Sequence, residues 1–258
     1  MNSIDTATGQ EAPEELSKER VRSIFAQIAR RYELFNAVSS FGAYRLWLAR
    51  MAAQVPVDPQ AQVLDLAGGA GDVTFTVARK VRPAHIHCTD LVDDMLSVAR
   101  ERYERGEASG VPVSFQVVDA QRIPFDSERF DAVTMAYGIR NIPDRDQALR
   151  EALRVLKPGG TFVCLEFSTP RNPLWNGLYN FYLDHLIPFW GKVITGDRDG
   201  FVYLSQSIKA FPRQDAFADM MRAAGFERVE WQNCTGGIVA VHVGRRPHGT
   251  CAPQRAQG

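Results

Sequence analysis

A glycine-rich turn and three aspartates are the residues whose types and spacing could bind a small charged ligand. Asp65 opens the segment Asp65-Leu-Ala-Gly-Gly-Ala-Gly-Asp72, at the end of an apolar run that is typical of a strand. Glycines in such a turn let backbone amides approach a ligand and leave a helix N-terminus open to an anion. Asp90 and Asp119 end two later apolar runs. Because the carboxyl ends of parallel strands meet at one sheet edge, these carboxylates should converge on a single crevice.

The turn suits a ligand with a carboxylate better than one with a pyrophosphate. A dinucleotide fingerprint reads G-x-G-x-x-G, but counting from Gly69 puts Thr74 at the place of the third glycine. S-adenosylmethionine fits, since its carboxylate could bind the Thr74 amide and hydroxyl while Asp90 grips both ribose hydroxyls. The predicted cofactor site, which includes an acid and a backbone amide for the adenine, comprises Asp65, Gly69, Gly71, Thr74, Asp90, Asp119 and Ala120.

The elements that must position these residues alternate between strands and helices. Nearly continuous apolar strands at residues 63–66, 85–90, 113–118, 130–135 and 161–167 predict a parallel sheet covered on both faces. Asp93 and Asp144 each precede a helical period and are expected to cap it. Two last strands follow each other too closely to be parallel, so they must form an antiparallel hairpin. The predicted fold is α/β: the doubly wound, mostly parallel sheet of class I S-adenosylmethionine-dependent methyltransferases.

We expect one domain over residues 17–244, between polar segments 1–16 and 245–258 whose composition is typical of disorder. Within it, residues 17–58 are interpreted as an N-terminal helical cap and residues 170–213 as an aromatic lid insertion. Eight aromatic residues lie between Pro173 and Tyr203. Such apolar surface must be buried or must face an apolar ligand. This aromatic segment predicts a helical pair that packs on the sheet or an entry channel for an apolar ligand. The two interpretations are compatible.

Composition argues against several other classes. The 258 residues include 30 Lys and Arg and 30 Asp and Glu, so the formal net charge is zero and nucleic-acid binding is not expected. The four cysteines are far apart, and His85 and His87 lack a third ligand, so no metal site is predicted. The N-terminal residues lack the apolar core of a signal peptide, and no apolar run reaches the ~18 residues of a membrane span. We expect a cytoplasmic protein.

Several longer segments carry a family resemblance. They are Phe25-Ala-Gln-Ile-Ala-Arg-Arg-Tyr32, the glycine turn, Tyr137-Gly-Ile-Arg-Asn141, Arg154-Val-Leu-Lys-Pro-Gly-Gly160, Leu165-Glu-Phe-Ser168 and Thr235-Gly-Gly-Ile-Val-Ala-Val-His242. With them, the chain from about Val21 to Val243 resembles the ubiquinone/menaquinone biosynthesis C-methyltransferases (the UbiE/MenG family), and most closely those that methylate demethylmenaquinone. The Ala-Gly-Gly turn and the Gly-Ile-Arg-Asn segment are the most specific of these motifs.

The resemblance implies methylation of a ring carbon of a prenylated quinol by S-adenosylmethionine, without a metal. It implies Arg140 and Asn141 near the reacting carbon. A guanidinium stays protonated, so we expect Arg140 to stabilise a developing quinolate and Asn141 to orient it. The proton acceptor is either water held by this pair or His185. The expected substrate-binding residues are Tyr32, Asn36, Tyr182 and His185.

Expected partners are the prenylated quinol, a transient contact with the inner face of the membrane, and in one alternative a second copy of the chain.

Three other functions stay open. A methyltransferase of the same fold could act on another small aromatic acceptor. An NAD-binding oxidoreductase is disfavoured by the missing third glycine. A non-catalytic subunit of a quinone-biosynthesis assembly could keep the cofactor site without turnover. The sequence does not choose between a menaquinone and a ubiquinone precursor.

Overall fold

The computed structural model describes residues 38–195 and 199–248. Its strands are β1 (Gln62–Leu66), β2 (His85–Asp90), β3 (Val113–Val117), β4 (Phe130–Ala136), β5 (Leu156–Phe167), β6 (Glu227–Cys234) and β7 (Val239–Arg245). They form one sheet in the order β3-β2-β1-β4-β5-β7-β6. β1 to β5 are parallel, while β7 is antiparallel to both β5 and β6. The predicted fold class is confirmed.

Helices cover both faces of this sheet. They are α1 (Ala43–Ala52), α2 (Asp72–Val81), α3 (Asp93–Glu104), α4 (Arg145–Val155), α5 (Pro173–Phe181), α6 (Ile187–Thr195), α7 (Asp199–Ala210) and α8 (Gln214–Ala223). Successive side chains of a strand point to opposite faces. In β5, accordingly, Phe162 and Cys164 pack in the core under α4 and α8, whereas Val163 and Leu165 pack in the core under α1 and α2. Both cores are dry and apolar, which holds the carboxyl ends of the strands in register.

Helix boundaries agree with the local sequence signals in part. Asp144 caps α4, because its carboxylate accepts a hydrogen bond of 2.8 Å from the amide of Gln147. The cap predicted at Asp93 is wrong. This residue lies inside the first turn of α3, after Val92, and its carboxylate pairs with Arg100 at 3.2 Å. An acid in the first turn still favours the helix through the helix dipole.

The end of the described chain is more ordered than its composition indicates. Arg245, assigned above to the polar tail, is the last residue of β7. The Arg246 guanidinium donates hydrogen bonds to the carbonyls of Leu153, Arg154 and Leu156, where α4 ends. A cation at that place satisfies carbonyls that the helix itself leaves unpaired.

The segment from α5 to α7, called the lid below, has a small hydrophobic cluster of its own. A π-helical turn, Tyr182–Leu186, joins α5 to α6. The buried members of the cluster are Tyr179, Leu183, Ile187, Phe201 and Ile208, and Phe167 of β5 and Ile238 pack against them. The lid therefore sits over the end of the sheet at which β5 finishes. The predictions on residues 1–16, on the part of the cap before residue 38, and on Tyr32 and Asn36 lie outside the described residues.

Candidate active site

The glycine turn connects β1 to α2 and is fixed to β2 through Asp90. One oxygen of the Asp90 carboxylate accepts from the Gly69 amide and the other from the Val92 amide, both at 2.9 Å. Burial raises the pKa of this carboxyl above its ordinary value. Gly71, the residue before α2, has a φ of +90°, and a Cβ there would lie 2.4 Å from the Phe75 ring. A side chain at Gly71 would therefore force the turn apart.

A cleft of about 130 Å³ opens beside this turn, at the carboxyl ends of β1 and β4. Its lining includes four predicted cofactor residues: Gly69, Asp90, Asp119 and Ala120. The Asp119 carboxylate accepts from the backbone and the side-chain amide of Gln121, both at 3.0 Å. This edge is where the order of the parallel strands reverses, the usual ligand crevice of open α/β sheets.

Asp65 and Thr74 lie below the cleft rather than in its lining. The Asp65 carboxylate is fully buried and accepts from the hydroxyls of Thr74, at 2.6 Å, and Thr134, at 2.7 Å. Burial raises the pKa of Asp65 to about 7 in spite of these two bonds. The expected bond from the Thr74 hydroxyl to a cofactor carboxylate is thus not supported, because a buried acid takes that hydroxyl. Asp65 and Thr74 thus support the turn from below. Gly71 is part of the turn and does not line the cleft either.

An ionic network that the sequence did not reveal braces the start of α2. The Asp72 carboxylate accepts from Arg102 at 2.6 Å and from the Tyr44 hydroxyl at 2.7 Å. The Arg102 guanidinium also donates to the carbonyl of Ala70, at 2.9 Å, inside the turn. These bonds connect α1, α2 and α3 to the glycine turn. Local pattern did not identify this role of Arg102, because its two partners at the turn, Asp72 and Ala70, lie 30 and 32 residues away in the chain.

A second cavity, of about 420 Å³, lies between α1, the end of β5 and the lid. Its walls are almost entirely aromatic and aliphatic, with Trp47, Phe167, Leu178, Phe181 and Leu183 among them. Tyr44, Tyr137 and Asn141 line both this cavity and the cleft. The Tyr44 and Tyr137 rings stack with centroids 5.8 Å apart. The cleft that contains Asp90 and Asp119 and the more apolar cavity therefore meet at these three side chains.

Arg140 and Asn141 lie at this meeting point, on a 3-10 turn that follows β4. The Arg140 guanidinium donates to the Tyr137 carbonyl at 2.5 Å and to the Glu166 carboxylate at 2.8 Å. It also covers the Phe167 ring, at 5.3 Å from the ring centroid. Asn141 accepts a hydrogen bond of 3.3 Å from the hydroxyl of Tyr203 in the lid. Of the predicted catalytic pair, Arg140 thus lines the apolar cavity and Asn141 lines both the cavity and the cleft.

Glu166 is the functional residue that sequence reasoning missed. Its carboxylate also accepts from its own strand, at the Phe167 amide, at 2.8 Å. The side chains of Arg140 and Glu166 are only 2% and 1% exposed. Burial raises the pKa of Glu166, while the adjacent guanidinium opposes this shift. The available signal was an acid inside the apolar run Thr161-Phe-Val-Cys-Leu-Glu-Phe167, where an unpaired charge would be costly.

The structure separates the two lid residues that were expected to bind substrate. Tyr182 lines the apolar cavity, and its hydroxyl donates to the Ser39 carbonyl. Burial raises the pKa of Tyr182 to about 12. His185 does not line the cavity: it is exposed and packs against the Phe181 ring, with centroids 4.7 Å apart. The helical path of the turn directs the His185 side chain outward, so the structure does not bring it together with the other predicted site residues, and its role stays a prediction.

A crevice at the strand-order reversal, a glycine turn held by an acid of β2 and a closing antiparallel hairpin define the class I methyltransferase fold. The same fold occurs in a S-adenosylmethionine-dependent methyltransferase from Thermotoga maritima, which is 19% identical. The TM-score is 0.61, and the match covers 87% of this chain and 99% of that one. The family model of the ubiE/COQ5 methyltransferase family matches residues 14–246, and the chain belongs to that family.

Curated relatives cover nearly the whole chain. One is the ubiquinone/menaquinone biosynthesis C-methyltransferase UbiE of Ectopseudomonas mendocina, 44% identical over 240 residues. That match spans 92% of this chain and 93% of the relative. A protein of the same name from Bradyrhizobium diazoefficiens is 45% identical over 230 residues, or 88% of this chain and 90% of its own. The resemblance to the ubiquinone/menaquinone biosynthesis C-methyltransferases is confirmed.

Proposed function

We propose that this methyltransferase moves the methyl group of S-adenosylmethionine to a ring carbon of a reduced, prenylated quinol. Demethylmenaquinol, which becomes menaquinol, is the acceptor we favour, and a ubiquinol precursor is the alternative. The observation that carries the proposal is the meeting of a carboxylate-lined cleft with an apolar cavity at Tyr44, Tyr137 and Asn141. The names of the relatives support the substrate class.

The residues around the cleft fit the cofactor. When bound, S-adenosylmethionine supplies a methyl group on a cationic sulfur. Asp90 has the charge and the position to hold the ribose hydroxyls, next to a glycine turn that a bulky side chain would break. Asp119 and the backbone at Ala120 lie further along the same cleft and suit the adenine. Gly69 lets the backbone come close to the ligand.

The walls of the second cavity suit the acceptor and its chemistry. A ring carbon attacks a methyl group well only when the ring is electron-rich, which requires the quinol and favours its singly deprotonated form. As the bond from the methyl group to the ring carbon forms, its bond to sulfur breaks, so a cationic sulfur and an anionic ring become neutral together, and an apolar cavity favours the reaction and holds the partners in line. The methylated ring carbon then loses its proton to water and the ring oxygen is protonated, which restores the aromatic quinol. Arg140 lies at the edge of this cavity and stabilises the negative charge on the ring oxygen. Asn141, between cleft and cavity, orients the ring.

The outside of the lid suits a substrate that dissolves in membranes. Leu174, Leu178, Phe181, Phe189 and Val193 are exposed there, and we call them the outer lid face. Two of them, Leu178 and Phe181, also line the apolar cavity, so the surface continues into the interior. In the part of the chain that the structure describes, no helix is long and apolar enough to cross a bilayer. We therefore propose a transient contact with the inner face of the membrane, through which the prenyl tail enters.

An anaerobic assay tests this function. Methyl transfer is measured with the oxidised quinone and with the dithionite-reduced quinol, each with and without a prenyl chain. We expect transfer only to the quinol, because the quinone lacks both the electron density and the hydroxyl to deprotonate. Each buried methylene contributes up to about 0.8 kcal/mol, so one prenyl unit should lower the apparent KM measurably. Equal rates on quinone and quinol would refute the mechanism, and indifference to the chain would refute the apolar channel.

A further inference from the structure

One buried hydroxyl in the wall of the apolar cavity has no hydrogen-bond partner among the described residues. Tyr179 of α5 lines the cavity and is 7% exposed, and its buried hydroxyl makes no hydrogen bond to any residue that the structure describes. Two other tyrosines of the lining are hydrogen-bonded within the protein: the Tyr182 hydroxyl donates to the Ser39 carbonyl, and the Tyr203 hydroxyl donates to Asn141. Tyr179 therefore differs from both in what its hydroxyl can do.

A buried hydroxyl without a partner costs stability, and a phenylalanine would fill the same space without that cost. Such a group is typical of a site that becomes satisfied only when a ligand binds. Because the surrounding wall is mostly apolar, a ligand that accepts a hydrogen bond from this hydroxyl must combine a polar atom with an apolar body. A hydroxylated aromatic ring with an apolar tail has that chemistry.

The electrostatic surroundings make Tyr179 a donor. Burial raises the pKa of its hydroxyl above the ordinary value, and Arg140 and Glu166 are close enough to influence this ionisation in opposite directions. The hydroxyl stays protonated at neutral pH and can donate to an oxygen. Arg140 lines the same cavity. A neutral donor and a cation are thus available to one ligand.

We propose that the Tyr179 hydroxyl donates a hydrogen bond to a ring oxygen of the acceptor, beside Arg140. The inference rests on the proposed function, because it takes the acceptor to be a hydroxylated ring. The bond strengthens as negative charge develops on the ring, since hydrogen bonds to charged groups are the stronger ones. Tyr179 is then a substrate-binding residue whose effect on turnover exceeds its effect on ground-state binding.

The test uses the full chain with Tyr179→Phe, which removes one oxygen atom, and Tyr103→Phe as a matched control. Tyr103 lies on α3 and packs against Phe115, away from the cavity. Calorimetry measures the affinity for a prenylated naphthalenediol under anaerobic conditions, with S-adenosylhomocysteine present so that no transfer occurs. We expect Tyr179→Phe to weaken binding about 3- to 10-fold and to lower kcat/KM about 10- to 100-fold. Its affinity for S-adenosylmethionine should match the control.

Thermal unfolding separates binding from packing. Because Tyr179→Phe removes an unsatisfied group, its Tm should equal or exceed that of the wild type. A prenylated naphthol that lacks one ring hydroxyl should bind the wild type as weakly as the diol binds the variant, with no further loss in the variant.

Equal affinity of wild type and variant for the diol, or a Tm that falls together with activity, would overturn the inference. A wild type that does not bind the diol would also overturn it. Binding without turnover by the wild type would instead contradict the proposed function, while the comparison of affinities would still decide the role of Tyr179.

Discussion

At the scale of single residues, the junction depends on charges that are buried and paired. The Arg140 guanidinium points into an apolar environment, and Glu166 compensates its charge from within β5. Without that carboxylate the guanidinium would be drawn toward water. The position of the proposed quinolate-stabilising group is therefore set by a residue that does not line the cavity.

Glu166→Gln should lower both stability and turnover. The amide keeps the shape but leaves the Arg140 charge uncompensated, which typically costs about 3–5 kcal/mol of unfolding free energy. Urea denaturation measures this loss, and a methyl-transfer assay should record at least about 10-fold slower turnover. Asp215→Asn is the control, because it breaks the exposed Arg171–Asp215 pair, for which about 0–1 kcal/mol is expected. Similar losses in the two variants would contradict this role of Glu166.

Asp65 should make stability depend on pH. Its folded-state pKa is about 7, above the ordinary 3.8, so between these values the folded protein holds a proton that the unfolded chain has lost. The contribution of Asp65 to stability is thus fully present below about pH 4 and is lost as the pH rises through about 7. Asp65→Asn has no such proton. The stability of the wild type minus that of the variant, from urea denaturation, should fall between pH 5 and pH 8. A constant difference would argue against the raised pKa.

At the scale of elements, the lid depends on a close approach of α6 and α7. Gly191 of α6 allows it, since a Cβ at this position would lie 2.2 Å from the Phe201 ring. Gly177 of α5 lies in the same lid but has open space around it, with no heavy atom within 4 Å of a Cβ. The two glycines form a matched pair.

Gly191→Ala should separate α7 from α6 and loosen the lid cluster. Such overpacking typically costs about 1–3 kcal/mol, and the acceptor KM should rise because the lid forms one wall of the cavity. Gly177→Ala should be neutral or up to about 1 kcal/mol more stable, because alanine favours a helix over glycine. Limited proteolysis of the lid and denaturation curves compare the two variants. Equal behaviour would show that the α6–α7 approach does not shape the cavity.

The fold was predictable because its signals are local. The run Val63-Leu-Asp-Leu66 and the cap at Asp144 depend on a few neighbouring residues. Gly69, Asp90, Asp119 and Ala120 were predictable as a group, since a parallel sheet brings the strand ends together without further information. Four of the predicted cofactor residues therefore line the cleft.

The side-chain arrangements that the sequence did not reveal depend on competition between distant partners. The Thr74 hydroxyl turns to a buried carboxylate rather than to the cleft, and only packing decides that choice. The side-chain direction of His185 follows from the π-helical turn, which no sequence period revealed. Glu166 pairs with Arg140 across 26 residues, and Arg102 reaches Asp72 and Ala70 across 30 and 32 residues, so the sequence alone did not identify these partners.

At the scale of the whole molecule, two compartments share one wall, and the cleft, which contains Asp90 and Asp119, is the more polar of the two. The cleft lies between β1 and β4, and the apolar cavity lies under the lid. The outer lid face continues this apolar surface to the exterior. Under the proposed function, this arrangement brings a charged cofactor and a membrane-soluble acceptor together at one junction.

The position of the transferred methyl group tests the central claim most directly. The purified protein is incubated anaerobically with reduced demethylmenaquinone and S-adenosylmethionine that carries a carbon-13 methyl group, and the product is examined by NMR. An acceptor held in line with the methyl donor at Tyr44, Tyr137 and Asn141 should yield the label only on a ring carbon. Label on a ring oxygen, or no labelled quinol at all, would contradict the account.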